Sequence, residues 1–275
     1  MTKTTQDTVE SPIKSYAPVR IAREGLAPSE RKVAAEVPVS ITYNGLAHAV
    51  MMATPQDLED FVTGFTLSEA IVERASEIEE IDIREIEGGG YLASLRVPKE
   101  RFSAIMAGRR NIVGQSGCGI CGIIELENLV RPVKPLGAPT PIAAAALFKC
   151  LDELRSHQPL NAITGAVHAA AFVKDGKILA CREDVGRHNA LDKLIGHLAR
   201  IGEPTSGGFV LLSSRCSFEL VQKTALASAP MLVTVSAPTT FAIDLARKLG
   251  LTLIALARPD SMLCFSDPHK LFAPE

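Results

Sequence analysis

From Val37 the chain alternates as Val-Pro-Val-Ser-Ile-Thr-Tyr, turns at Asn44-Gly45, and resumes as Leu-Ala-His-Ala-Val-Met-Met. Period-two patterning on both sides of Asn-Gly predicts a hairpin with a tight turn. Thr54 and Pro55 read as a helix cap and a first-turn proline, because Leu58, Phe61, Val62, Phe65 and Ile71 follow at helical spacing. Ile81 to Ile86 and Tyr91 to Val97 alternate around Gly88-Gly89-Gly90, predicting a second hairpin, and Lys99 to Arg110 is helical in pattern. Residues 1–30 mix polar and proline positions without a sustained period and read as an arm with no core role.

The second half has another rhythm. It predicts a helix over Ile142 to Arg155, strands over Ala166 to Val173 and Ile178 to Arg182 around Asp175-Gly176, and a helix from about Gly186 to Arg200. Strand and helix then alternate: Phe209 to Ser213, Phe218 to Ala227, Met231 to Val235, Phe241 to Leu249, with a closing strand Leu251 to Ala257. Such alternation predicts a layered α/β sheet with a largely parallel part. The expected organisation is an arm at 1–30, a small α+β domain at 31–112, a loop and linker at 113–140, and an α/β domain at 141–275. Arg131 to Pro139 holds three prolines, which reads as a stiff linker beside a hinge.

Composition narrows the function. The chain of 275 residues carries net charge −2, no Trp and 5% aromatic residues, which argues against a nucleic-acid partner. Neither a signal peptide nor an apolar run long enough to span a membrane stands out, so a cytoplasmic location is expected. Of six cysteines, only Cys118 and Cys121 form a Cys-x-x-Cys, set in Gly117-Cys118-Gly119-Ile120-Cys121-Gly122. In a reducing compartment such a pair is catalytic, redox-active or metal-binding rather than a structural disulfide. Its glycines place it on a loop. Arg109 and Arg110, just upstream, would lower a thiolate pKa if folded back, and are equally a solvated helix end.

In an open α/β sheet, ligands bind at the carboxyl ends of the parallel strands. Those ends read Glu183-Asp184-Val185-Gly186-Arg187-His188-Asn189, Ser213-Ser214-Arg215-Cys216-Ser217, Ser236-Ala237-Pro238-Thr239-Thr240 and Arg258-Pro259-Asp260-Ser261. Arginines, hydroxyls and helix N-termini on one edge suit phosphates. Each segment alone is equally a capped, salt-bridged helix start, and His168 reads as a sheet histidine.

The order of elements resembles the cytidine deaminase-like fold, a three-layer α/β/α arrangement. Zinc deamination requires His-x-Glu and Pro-Cys-x-x-Cys at the two helix starts. Here those places hold His188-Asn189-Ala190 and Arg215-Cys216-Ser217, so no zinc is expected.

Four segments together, Gly117 to Gly122, Thr164 to Ala171, Glu183 to Lys193 and Ser213-Ser214-Arg215, closely resemble the FdhD family of formate dehydrogenase accessory sulfurtransferases. The resemblance runs from about Glu36 to the C-terminus. It implies a sulfurtransferase that accepts persulfide sulfur from a cysteine desulfurase. The sulfur goes to the bis-molybdopterin guanine dinucleotide form of the molybdenum cofactor, bound as substrate, before that cofactor enters formate dehydrogenase. The family's persulfide cysteine falls on Cys118. Its cofactor-binding stretch falls on Leu256, Ala257, Arg258, Pro259, Asp260 and Ser261, with Asp260 in place of a glycine and Ser261 in place of a basic residue. A homodimer is implied as well. Cys121 either expels the outer sulfur of a Cys118 persulfide or only tunes Cys118. Two other readings stay open: a metal or iron-sulfur module using both cysteines across a dimer, and a nucleotide-binding regulator with a thiol switch.

Overall fold

The computed structural model describes residues 11–103 and 130–272. Cys118 and Cys121, with Arg109 and Arg110, lie outside the described residues, as does the rest of the predicted cysteine loop up to position 129.

Within the predicted featureless arm the chain forms strands β1 (Ile13–Tyr16), β2 (Val19–Ala22) and β3 (Gly25–Pro28), and β4 (Arg31–Ala34) follows at the start of the predicted α+β domain. β1 pairs antiparallel with β4 and β2 with β3, making a narrow two-stranded ribbon. The prolines at 18 and 28 interrupt the period-two pattern, which hid these strands in the sequence.

The first hairpin forms as expected, β5 (Val37–Tyr43) against β6 (Leu46–Ala53). The second pairs β7 (Glu80–Glu85) with β8 (Tyr91–Arg96). They join in one sheet, ordered β6-β5-β8-β7, through parallel β5–β8 pairing. The inward residues of β5, Val37, Val39, Ile41 and Tyr43, pack on Phe61, Val62 and Phe65 of α1 (Leu58–Ser68). Thr54 and Pro55 do not start this helix. Its N-cap is Asp57, in left-handed conformation, while Thr54 is buried against residues 130 positions away. Ile71 lies past the helix end. Of the predicted 99–110 helix, residues 99–103 are described and helical.

The second unit contains α2 (Ala144–Leu154), a short helix α3 (Pro159–Thr164), and the hairpin β9 (His168–Lys174) with β10 (Lys177–Asp184). There follow α4 (Arg187–Ile201), β11 (Phe209–Leu212), α5 (Phe218–Leu226), β12 (Met231–Thr234), α6 (Thr240–Leu249), β13 (Thr252–Ala255) and β14 (Leu263–Ser266). The sequence pattern missed α3 and β14. The sheet runs β10-β9-β11-β12-β13-β14, with β11, β12 and β13 parallel and β14 antiparallel to β13. These parallel strands are buried throughout because helices cover both faces, and so they read as continuous apolar runs. Leu191, Leu194, Leu220 and Leu245 from α4, α5 and α6 pack on one face, and Leu147, Cys150 and Leu154 from α2 on the other.

The two units meet where α1 crosses α4. The crossing is close because Gly64 of α1 faces Asp192 and Gly196 of α4, while Gly196 faces Asp60. The proline-rich stretch after Arg131 does not stand clear as a spacer: Val130, Val133 and Leu136 pack against the larger core.

Candidate functional site

The loops after β11, β12 and β13 lie side by side. Ser236 N donates to Ser214 O (3.3 Å), Cys216 N to Ala237 O (3.1 Å) and Thr239 N to Cys216 O (3.0 Å). Leu256 N in turn donates to Ser236 O (3.2 Å) and Ala257 N to Thr234 O (3.1 Å). Segments 213–217, 236–240 and 256–261 therefore form one continuous edge. Leu256 holds φ 52, a left-handed conformation that a leucine adopts only under strain. Beyond it Ala257 is buried, whereas Arg258, Pro259, Asp260 and Ser261 are exposed in a turn closed by Arg258 N to Ser261 O (2.8 Å).

The glutamate-to-lysine motif at 183–193 divides sharply. Most of it is scaffold. Glu183 accepts from Leu160 N (2.9 Å) and Asn161 N (2.8 Å), tying down α3. Asp184 accepts from Thr54 N (2.9 Å), Gly186 N (2.8 Å) and Asn189 Nδ2 (2.9 Å), and pairs with Lys193 at 2.7 Å. Lys193 also donates to Thr54 O (3.0 Å), and Asn189 to Met52 O (2.7 Å). Asp192 is held by Ser68 Oγ (2.6 Å) and Lys223 (2.7 Å). Of the two readings open for this segment, Glu183, Asp184 and Asn189 therefore take the scaffold one: Glu183 is spent on α3 within the second unit, and Asp184 and Asn189 on joining the two units. Ser213 is spent likewise, its hydroxyl accepting from Ala169 N (2.8 Å).

What remains at the edge is cationic. Arg187, Arg215 and Arg258 make no ion pair among the described residues, and Arg187 Nε is buried without a hydrogen-bond partner. His168 sits on the sheet, as expected, but at its ligand edge. Burial and the nearby Arg187 and Arg215 charges lower its pKa. His188, in the first turn of α4, approaches Ser217 Oγ (3.4 Å), and its pKa is pushed down to about 4 by burial and by the Lys223 and Arg187 charges. Both imidazoles are thus neutral at pH 7. No side chain caps the start of α4 or α5, which leaves their first N–H groups for a ligand, whereas Thr239 caps α6 itself through Ala242 N (3.3 Å). Phe218 and Phe241, at the starts of α5 and α6, lie in tilted contact with ring centroids 4.9 Å apart and planes at 42°, and Phe241 is exposed. Periodicity showed them only as helix residues; their place directly after the strand-end loops was the available signal.

Cys216 is fully buried, and burial pushes its thiol up to about 12. Cys181 is pushed to about 12 by burial and Glu183. Neither is a nucleophile at neutral pH. Among the described residues no three His, Cys, Asp or Glu side chains are grouped to hold a metal, and no helix is long and apolar enough to cross a membrane.

Comparison with known proteins gives one consistent result. Residues 34–272 match the model of the FdhD/NarQ family. The chain is 48% identical over 240 residues to the sulfur carrier protein FdhD of Xanthomonas euvesicatoria pv. vesicatoria, covering 87% of this chain and 85% of that one. It is 44% identical over 258 residues to the sulfur carrier protein FdhD of Cupriavidus necator, covering 94% and 89%. A crystal structure described as a formate dehydrogenase accessory protein from Desulfotalea psychrophila superposes with TM-score 0.75 at 25% identity, over 94% of this chain and 99% of that one.

Proposed function

The chain belongs to the FdhD/NarQ family, and on that premise we propose that it is a sulfur carrier serving formate dehydrogenase. Cys118 thiolate attacks the outer sulfur of a cysteine desulfurase persulfide, which leaves the desulfurase as thiolate and Cys118 as persulfide. The sulfur then passes to bis-molybdopterin guanine dinucleotide, held as substrate at the strand-end edge. If Cys121 attacks Cys118 Sγ, the outer sulfur leaves as sulfide and the resulting disulfide must be reduced by a thiol.

The observation that carries this reading is the cluster of unpaired Arg187 and Arg215 around neutral His168, with uncapped helix starts beside it. Fixed guanidinium and N–H donors on one edge match the pyrophosphates of a guanine dinucleotide. Arg258, in the turn after β13, extends that edge across β12, and the exposed face of Phe241 offers a purine ring a flat apolar surface. Leu256, Ala257, Pro259, Asp260 and Ser261 contribute backbone shape there. The large sheet, with helices on both faces, supports a cytidine deaminase-like layout for residues 141–275, the part that receives the cofactor. The protein acts in the cytoplasm as a homodimer.

Intact-protein mass spectrometry after incubation with a cysteine desulfurase and cysteine tests the carrier step. Wild type should gain a cyanide-labile mass of about 32 Da, one sulfur atom, which is absent in Cys118→Ala. No gain in wild type refutes the carrier reading.

A further inference from the structure

The ribbon at the N-terminal end is built for contact yet touches little of its own chain. The pairs Ile13↔Ala34 to Tyr16↔Arg31 and Val19↔Pro28 to Ala22↔Gly25 share one register, so a single ribbon runs to a tip at Arg23 and Glu24. Its base is fixed: Ala35 N donates to Pro12 O (2.8 Å) and Arg31 to Thr164 O (2.9 Å). Among the described residues no hydrogen bond or ion pair joins positions 17–30 to the body.

Directly opposed residues of an antiparallel pair share a face. Val19 and Pro28 therefore lie on the same side as Ile21 and Leu26, forming an apolar patch at the outer end. Val19, Ile21 and Leu26 are 63%, 84% and 74% exposed. A lone two-stranded ribbon is marginal in water, and a contiguous exposed apolar patch marks a contact surface. The family model begins at residue 34, whereas the match to the Cupriavidus necator relative spans 258 residues of this chain and so takes in most of the ribbon.

Charge indicates what covers it. The ribbon carries Lys14, Arg20, Arg23, Arg31 and Lys32 against Glu24 and Glu30, in a chain of net charge −2. The complementary surface is β7 and its ends: Asp82 pairs with Arg84, and Glu79 and Glu80 pair with Arg96 of β8, which leaves Glu85 and Glu87 as the excess negative charge. Among the described residues Arg20, Arg23, Glu85 and Glu87 have no ion-pair partner. Among the described residues β7 is also an edge strand, paired only with β8, and its other side offers backbone groups to another strand.

We propose that the ribbon is a docking arm that reaches a second copy of this chain, its apolar end covered by, and its arginines paired with, the acidic β7 edge of that copy. The proposal rests on the homodimer in the reading above and adds its means of assembly. A two-fold axis makes the exchange reciprocal. Ten residue pairs at ~3.3 Å rise give a ribbon roughly 33 Å long and about 10 Å wide. Two such arms, each burying roughly equal area on both sides, cover about 1,300 Å² in total, within the range of stable interfaces.

The test uses the full-length chain with p-benzoylphenylalanine at position 21, sedimented to establish its oligomeric state and then irradiated. The expected result is a dimer that becomes covalent, with the adduct on residues 79–97 of the other copy. A chain that sediments as a monomer overturns both the dimer and the arm. A dimer that links elsewhere, only within one chain, or not at all overturns the arm and leaves the dimer standing. In parallel, Ile21→Lys with Leu26→Lys should raise the dimer dissociation constant at least tenfold with the thermal transition of the diluted monomer unchanged, because the tip lies outside every core. An unchanged dissociation constant refutes the proposal.

Discussion

Adding one methyl group at the α1–α4 crossing should separate the scaffold from the site it carries. A Cβ at Gly64 would stand 2.6 Å from the Asp192 carbonyl carbon and 2.7 Å from Gly196 N, and would overlap the Asp192 carbonyl oxygen. Carbon contacts settle near 3.5–4.0 Å, and the overlap with the carbonyl oxygen is deeper than the carbon contact, so in Gly64→Ala the helices must part by more than about 1 Å. Overpacking of this kind costs about 1–3 kcal/mol, and backbone obstacles that cannot rotate away put it at the upper end. Parting the helices also stretches the bonds joining the units, such as Thr54 N to Asp184 (2.9 Å) and Lys193 to Thr54 O (3.0 Å), each worth about 1 kcal/mol. The helix propensity of alanine returns about 1 kcal/mol. The net loss is about 2–4 kcal/mol, a large share of the 5–15 kcal/mol typical of a folded domain. Gly202→Ala is the control, since Gly202 has φ 71 and open space around its Cβ position, so only a conformational cost near 1 kcal/mol applies. Urea unfolding at equal m-value measures both. A loss at Gly64→Ala no larger than that at Gly202→Ala would refute the claim that backbone contact at this crossing joins the units.

Three further outcomes follow from the buried charges and thiols. Burial raises the Glu69 carboxyl, but Lys223 and Arg131 outweigh it and hold its pKa below the ordinary 4.5. Its stabilisation is therefore present above that value and lost as pH falls through the lowered one, so the stability gap to Glu69→Gln should be constant above about pH 5 and close below about pH 4; a gap unchanged down to pH 3 refutes this. His188, with its pKa pushed down to about 4 by burial and neighbouring cations, should stay neutral at pH 6 in an NMR titration, and its contribution to stability should fade as pH drops from 6.5 toward 4. A midpoint near 6.5 would place the ring in solvent instead. Cys181 and Cys216, both near pKa 12, should resist a thiol reagent at pH 8 in the folded protein, so that Cys118 gives a persulfide signal free of their background; rapid labelling of either counts against the burial described here.

The hairpins and the strand–helix alternation were legible because burial on one face or two imposes a period that survives in the sequence. Thr54 shows where that logic stops. Next to a proline and ahead of a helical run it has every local mark of a cap, yet its hydroxyl accepts from Val185 N (3.1 Å), across 131 positions. Glu183 and Asp184 were left open between ligand edge and helix start for a related reason. An acidic pair before a helix looks the same whether it meets solvent, a ligand or another unit, and only the placement of Thr54, Leu160 and Lys193 decides it. The edge formed by the strand-end loops was legible from topology, since strand ends followed by helices locate it without any contact being known. Within it the arginines were visible. The Phe218–Phe241 pair was not, because aromatic residues at helix starts carry no period of their own.

Sequence motifs measure constraint, and this chain shows that constraint and chemistry part company within one motif. In the stretch from Glu183 to Lys193, Asp184, Asn189, Asp192 and Lys193 lock α4 to the first unit, while Arg187 and His188 face the edge. The lock has a functional consequence. Phe102 packs on the smaller core, and Arg101 pairs with Glu73 (2.9 Å) and Glu77 (2.8 Å). Val130 packs on the larger core, Arg131 N donates to Gln222 (2.8 Å), and the Arg131 guanidinium pairs with Glu69 at the end of α1. The segment bearing Cys118 and Cys121 thus leaves from one unit and returns to the other. Because α1 and α4 hold those units in fixed relation, the separation of its two attachment points is fixed as well. The glycine–glycine crossing with its buried charges thus gives that segment an invariant base on the body, which is what the proposed carrier role requires.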